Sequence, residues 1–374
     1  MPRQLHLSAA IDATTDATTD ATISPAIDRA ADPGRFDAAH YTGLARLAER
    51  ATLDFVTLDD SFTAEPRRPD ALATLARIAP LTSRIGLVPT VTTTHTEPFH
   101  TSISLNTLDW VSEGRAGWLV GVSDTEAEAR AFGRRAVAPA DELWAEAADA
   151  AEVAARLWDS WEDDAEIRDT ATGRFVDRDK LHYVDFEGRH FSVRGPSITP
   201  RPPQGRPVVV VPVAAADLAR DAPADGRARV DTAIRYADVV LLDAPDRAAR
   251  LTAATELRLR SGEQLRILAR LDIALPDRAA EERLLAELSA TGTGVDGFHL
   301  VPAAAERDLA ALAARIAPAL RATGLLRSGY PGRTLRDHLG LARPASRYAA
   351  APVDSPAESP AESPARAALA EVTR

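Results

Sequence analysis

Ser102 to Ser123 reads SISLNTLDWVSEGRAGWLVGVS, and within it the hydrophobic period changes from helical to extended. Leu105, Leu108 and Val111 recur at the spacing of one helix face, Glu113-Gly114 supplies a stop, and Gly117–Val122 is a continuous apolar run of strand length. The stretch is half of a helix–strand unit, and the rest of the chain repeats it. Strand-like runs stand at Leu5–Ile11, Phe55–Leu58, Ile85–Val91, Gly117–Val122, Val208–Val213, Val239–Leu242, Leu265–Ile273 and Gly297–Val301. Between most of them lie helical stripes, for instance Leu309, Leu312, Ile316 and Leu320, or Leu143, Ala147, Ala150, Ala154 and Leu157. Continuous Val/Ile/Leu strands covered by amphipathic helices indicate a parallel sheet buried on both faces. Eight such units predict a closed (β/α)8 TIM-type barrel in preference to an open, doubly wound sheet.

The rhythm breaks once, over residues 162–206, where Gly, Pro and aromatics replace any long helix. His182–Phe186, Gly188-Arg189 and His190–Val193 read there as strand, turn and strand, followed by the Pro-rich PSITPRPPQGRP of Pro196–Pro207. This predicts a hairpin insertion after the fourth unit of a single barrel domain spanning residues 1–345. Two stretches carry too little apolar surface to build structure: Asp12–Thr22, which repeats DATT, and the Pro/Ala/Glu-rich tail at 346–374, which repeats SPAE. Both are expected to be disordered.

The 374-residue chain has 55 acidic against 44 basic residues, a formal charge of -11. Such a surface repels phosphate backbones and anionic lipid, so no nucleic-acid or membrane partner is expected. There is no cysteine, which removes disulfides, thiolate nucleophiles and Cys-ligated metal together. Redox chemistry would have to come from a bound organic cofactor. Without a secretory-type start or a run of roughly 18 apolar residues, the chain is expected to be soluble and cytoplasmic. Neither a dinucleotide fingerprint, a P-loop nor a G-x-S-x-G elbow occurs. The carboxylate pair Asp59-Asp60 stands at a strand end, but neighbours on a strand point to opposite faces, so the two do not converge on a metal or a shared proton.

The opening stretch also resembles the flavin-dependent luciferase-like monooxygenases, in the branch containing nitrilotriacetate and dibenzothiophene-sulfone monooxygenases. The resemblance runs from about Tyr41 to Leu341. It takes in LAERATLDFVTLDD (Leu47–Asp60), SRIGLVPTVTTTHTEPF (Ser83–Phe99), LWDSWEDDA (Leu157–Ala165), the insertion, DGFHLVP (Asp296–Pro302) and YPGRTLRDHLGL (Tyr330–Leu341). It implies a barrel, dimeric or tetrameric, that takes reduced FMN from a separate reductase and uses O2 to oxygenate a small organic substrate, with C–N or C–S cleavage as outcome. By the same resemblance Asp60, Thr90 and Thr92 fall on flavin-contact positions, and His95 and His299 on possible substrate contacts; His100 lies near His95. Without the resemblance, Asp60 reads as a loop-capping carboxylate and each His as a structural group.

Several of the family's polar positions are changed here. A His and a Tyr on the helix preceding LWDSW are Ala140 and Trp144; the Gly and Ser of the phosphate loop after the fifth strand are Val213 and Ala214; an Arg is Ile103, an Asn Leu119 and a Thr Val122. The lost Gly and Ser are residues whose backbone and hydroxyl would approach a phosphate. Two alternatives follow: an F420-dependent oxidoreductase with altered phosphate contacts, and a barrel that no longer binds cofactor and serves as a non-catalytic subunit or ligand-binding partner.

Overall fold

Each apolar run expected to be a barrel strand is one. The structure, a computed structural model, describes residues 4–11, 37–63, 68–262, 265–290 and 294–349; the repeat at 12–22 and residues 350–374 of the tail lie outside the described residues. In chain order β1 (His6–Ala10), β2 (Phe55–Leu58), β3 (Gly86–Thr92) and β4 (Gly117–Gly121) alternate with α1 (Ala38–Arg50), α2 (Ala71–Ile78) and α3 (Pro98–Val111). After β4 come α4 (Glu126–Phe132), the long α5 (Ala140–Asp159) and the insertion. The insertion holds two small antiparallel ladders: β5 (Glu166–Asp169) with β6 (Arg174–Val176), and β7 (Phe186–Glu187) with β8 (Ser192–Val193). The barrel resumes with β9 (Val208–Ala214), α6 (Ala224–Tyr236), β10 (Val239–Asp243), α7 (Arg247–Ser261), β11 (Arg266–Ile273), α8 (Arg278–Ser289) and β12 (Gly297–Pro302). Finally α9 (Ala305–Ala311) runs through a π turn at Leu312–Ile316 into α10 (Ala317–Ala322), and α11 (Leu335–Leu339) follows.

The eight long strands pair in the order β1-β12-β11-β10-β9-β4-β3-β2, all parallel, and close. Strand alternation sorts their side chains into two cores. Leu7, Val56, Leu87, Trp118, Val211, Val240, Ile267 and Phe298 point outward and pack against the helices. Phe55, Val88, Val208, Val210, Val239, Leu241 and Leu268 fill the lumen, with Leu335 and Leu339 of α11 joining them. One glycine is required for closure: at Gly297, paired with His6, a Cβ would stand 1.8 Å from the His6 carbonyl oxygen. Aspartates cap the helices that lead away from the sheet, Asp37, Asp70, Asp246 and Asp277 each accepting from an N-terminal amide. Such a cap contributes about 1 kcal/mol.

The opening stretch is bound by polar anchors that its hydrophobic pattern concealed. Glu113 (φ 57°) and Gly114 (φ 89°) make the left-handed reversal that ends α3. Val111, expected on the buried stripe, is 46% exposed, because the buried face of α3 runs through Leu105, Asn106, Leu108 and Asp109 instead. Asp109 accepts from the Ala116 amide and from the backbone and side chain of Gln204. Burial nevertheless pushes its carboxyl up to about 6. Arg115, equally buried, donates to the carbonyls of Ala79, Thr82, Ile85 and Ser112. In the insertion the expected hairpin is present but short, two residues on each side. The ladder of β5 and β6 went unforeseen because it is short and buries no face, so that even Ile167 and Phe175 stand exposed.

Candidate functional site

A cavity of about 360 Å3 opens at the C-terminal ends of the strands, the face on which (β/α)8 barrels carry their chemistry. Its floor is His299 of β12. The imidazole meets the Ser8 hydroxyl at 2.9 Å through Nδ1 and the Thr57 hydroxyl at 3.4 Å through Nε2, and the Phe55 ring stacks beneath it at 6.3 Å. Burial, then the charge of Arg270, depresses its pKa to about 3, so the ring is neutral at working pH. Above it the wall carries Asp59, Asp243, Arg229 and Arg270. Arg270 reaches Asp272 at 3.0 Å and Asp243 at 4.0 Å.

Thr90 and Thr92 are successive inward residues of β3, paired with Leu119, which lines the cavity, and with Gly121. A Cβ at Gly121 would lie 3.1 and 3.3 Å from their methyl groups, so the methyls occupy the space that the glycine leaves. Both hydroxyls are buried without a hydrogen-bond partner, as are Ser123 Oγ and His95 Nδ1 beyond the same strand ends. Buried hydroxyls are ordinarily satisfied, and four orphans around one rim make a set of unused polar atoms. His95 stacks on Phe132 at 4.7 Å, and Phe132 meets Phe62 edge-on; burial and Arg135 lower the His95 pKa. His100 lies on the exposed side of α3, 3.4 Å from Ser104 Oγ.

Asp60 stands beside the lining residue Asp59, and Arg68 approaches both carboxylates. Asp60 accepts from the Ser61 amide and from the Ala71 amide at the start of α2, with Arg68 at 3.5 Å. His299 lines the cavity, Thr90 and Thr92 stand behind it on β3 beside the lining residue Leu119, and Asp60 and His95 sit on the loops that follow β2 and β3. Arg270, Asp243, Arg229 and Asp217 were not foreseen from the sequence. The inward alternation of β11 offered a signal for Arg270; nothing in the pattern marked Asp217.

Asp217 follows β9. Its Oδ2 accepts from the Ala214 amide at 2.9 Å and from Arg229 Nη1 at 3.1 Å, while Arg229 Nη2 reaches Asp225 at 3.4 Å. The Arg229 guanidinium lies 5.2 Å over the Trp144 ring. Space for the carboxylate comes from Gly226, where a Cβ would stand 2.6 Å from Asp217 Oδ1. A protein carboxylate thus holds the strand-end amide that an external anion would use.

A larger cavity, about 800 Å3, lies at the opposite end, against the start of β11 and the segment after α11. Arg336 and Asp238 form a two-bond pair there, at 3.0 and 2.9 Å. Stability rather than chemistry is the usual task of this face. Among the described residues no group of three or more His, Asp or Glu side chains is arranged to hold a metal ion, and no helix is long and apolar enough to cross a membrane.

A parallel (β/α)8 barrel with one polar recess at its strand ends is the frame of an enzyme that holds an organic ligand there. The chain belongs to the luciferase-like monooxygenase family, whose model matches residues 17–325. It is 29% identical to nitrilotriacetate monooxygenase component A of Aminobacter aminovorans over 86% of this chain and 94% of that protein. It is 34% identical to one of the subunits of pristinamycin IIA synthase of Streptomyces pristinaespiralis, over 82% of this chain and 91% of that one. The EDTA monooxygenase of Chelativorans sp. BNC1 shares its fold with a TM-score of 0.74 at 19% identity, over 91% of this chain and 99% of that one.

The residues present fit one part of a flavin and not another. The orphaned hydroxyls of Thr90, Thr92 and Ser123 suit the polar edge of an isoalloxazine ring. The β9 end does not suit a phosphate, because Asp217 already holds the Ala214 amide.

Proposed function

We propose that this protein is a flavin-dependent monooxygenase that takes a reduced flavin from a separate reductase and uses O2 to oxygenate a small organic substrate, in the class that cleaves C–N or C–S bonds. The bound flavin would supply the reaction with oxygen; the chain's own residues bind, orient and keep water out. Thr90 and Thr92 offer their hydroxyls to the ring, and Asp60 holds the β2–α2 loop beside it. His299, neutral and anchored by Ser8 and Thr57, forms the floor beneath the substrate, and His95 closes the rim with Phe132. A homodimer or tetramer is the expected assembly. The observation that carries this reading is the rim of buried, partnerless hydroxyls at the ends of β3 and β4.

A second reading is favoured by Ala140, Trp144, Val213 and Ala214, which stand where the resemblance places the family's flavin contacts. In it the barrel is a non-catalytic subunit, in keeping with its likeness to one subunit of a synthase. Titration with flavin, and with F420 in parallel, followed by fluorescence and thermal shift, separates the two. Saturable binding weakened by Thr92→Val, together with turnover when a reductase and NADH are added, supports the oxygenase. No binding of any flavin up to millimolar concentration refutes it.

A further inference from the structure

The lining of the mouth is balanced, with Asp59 and Asp243 against Arg229 and Arg270, but the groups bonded to that lining are not. Asp217 and Asp225 both hold Arg229, Asp272 holds Arg270, and the Arg68 that approaches Asp59 is shared with Asp60. Among the described residues, these contacts set six carboxylates against three guanidiniums, in a chain whose formal charge is -11. The end of β9 shares this imbalance. One guanidinium faces two carboxylates there, and the strand-end amide that would attract an anion is already bonded to one of them.

From this rim we infer that the mouth selects an uncharged flavin, one whose ribityl chain ends in a hydroxyl, over its phosphorylated form; the inference rests on the flavin reading above and deepens it. A phosphate dianion brought to the end of β9 meets a local charge of the same sign, and Arg229 cannot turn to it without leaving Asp217, Asp225 and the Trp144 ring. A ribityl hydroxyl, being uncharged, meets no such opposition. The shape of the pocket points the same way: Gly226 is the residue that admits the Asp217 side chain, so the carboxylate sits in a space that any larger residue would close.

The test is a pair of equilibrium titrations of the full chain with riboflavin and with FMN at low and at high salt, repeated on Asp217→Asn. Riboflavin is expected to bind at least roughly tenfold more tightly than FMN at low salt, with the gap narrowing as salt rises. Asp217→Asn, whose amide oxygen can still accept from Ala214, should tighten FMN by about tenfold and leave riboflavin unchanged. Unchanged riboflavin affinity also certifies that the variant is folded. If the variant does not fold, the wild-type ratio and its salt dependence decide alone. FMN binding as tightly as riboflavin, or more tightly, overturns the inference and leaves the flavin reading standing. Binding of neither overturns both.

Discussion

Replacing Thr90 or Thr92 by Val should make the ligand-free protein more stable and its flavin complex weaker, a reversal of sign that a purely structural threonine would not give. Both hydroxyls are buried and neither has a partner, while both methyl groups already pack against Gly121. Leaving a buried hydroxyl unsatisfied costs about 1–3 kcal/mol, and Val keeps the β-branched shape that a strand accepts. Each substitution should therefore raise unfolding free energy by about 1 kcal/mol, and the double variant by about 2. A hydrogen bond from each hydroxyl to bound flavin, worth roughly 0.5–1.5 kcal/mol net, should disappear in the same variants and lower affinity by about two- to tenfold each. Urea unfolding without ligand gives the first quantity and fluorescence titration the second. A fall in ligand-free stability on Thr→Val would mean that the hydroxyls are satisfied within the protein, and it would refute the idea that the rim is reserved for a ligand.

Gly297→Ala places a methyl group 1.8 Å from the His6 carbonyl oxygen, so β1 must part from β12; a loss upwards of about 3 kcal/mol is expected in urea unfolding, and a loss below about 1 would mean that the barrel closes by another register. Arg115→Lys leaves several buried carbonyls without donors that one ammonium cannot replace, and should cost about 2–4 kcal/mol while riboflavin affinity in the folded fraction stays the same. Stability should also depend on pH in a calculable direction. His299, held down to about 3, and His338, held down to about 4, are neutral when folded and charged when unfolded at pH 4–6, so both lose stability as pH falls. Asp109, raised to about 6, is protonated when folded and ionised when unfolded above about 4, so it loses stability as pH rises. From these three groups alone, two protons against one contribute a net loss of about 1.4 kcal/mol per pH unit on going from about pH 6 to about pH 4. His299→Asn should lower the measured slope by about 1.4 kcal/mol per pH unit, and an unchanged slope in the variant would show that His299 does not titrate on unfolding.

The barrel was legible because its strands are buried on both faces and read as continuous apolar runs, which leave one periodicity for the sheet and another for the helices. Val111 shows where that reasoning slips: its spacing fits the helix stripe, but the last turn of α3 has already swung away toward solvent when the chain reverses at Glu113. The β5–β6 ladder slips for the opposite reason, since a hairpin standing in water has no dry face to advertise. At the site, the inward residues of β3 and β12 could be reached from strand alternation and resemblance together. Asp217 could not, because its place depends on a turn after β9 and on Gly226 in α6, a coincidence that no period records.

Changed positions such as Leu119, Val213 and Ala214 line the mouth, and the physics of the barrel allows that lining to vary. Arg115 and Asp109 tie α3 to β4, Asp54 joins the Leu7 amide to Arg327, and Arg336 pairs with Asp238 beside α11. These are buried charges with several bonds each, and removing one partner leaves the other without compensation. They hold the lower half of the barrel whatever stands in its mouth. The mouth is built from side chains that no strand pairing requires, so Val213, Ala214 and Trp144 can replace polar groups while the β9–β10 register, from Val239 with Val210 to Asp243 with Ala214, remains intact. A chain can thus keep the barrel by which its family is recognised while the lining of its mouth changes. For this protein the decision rests on the few atoms at the end of β9, where Asp217, Arg229 and the Ala214 amide already satisfy one another before any phosphate arrives.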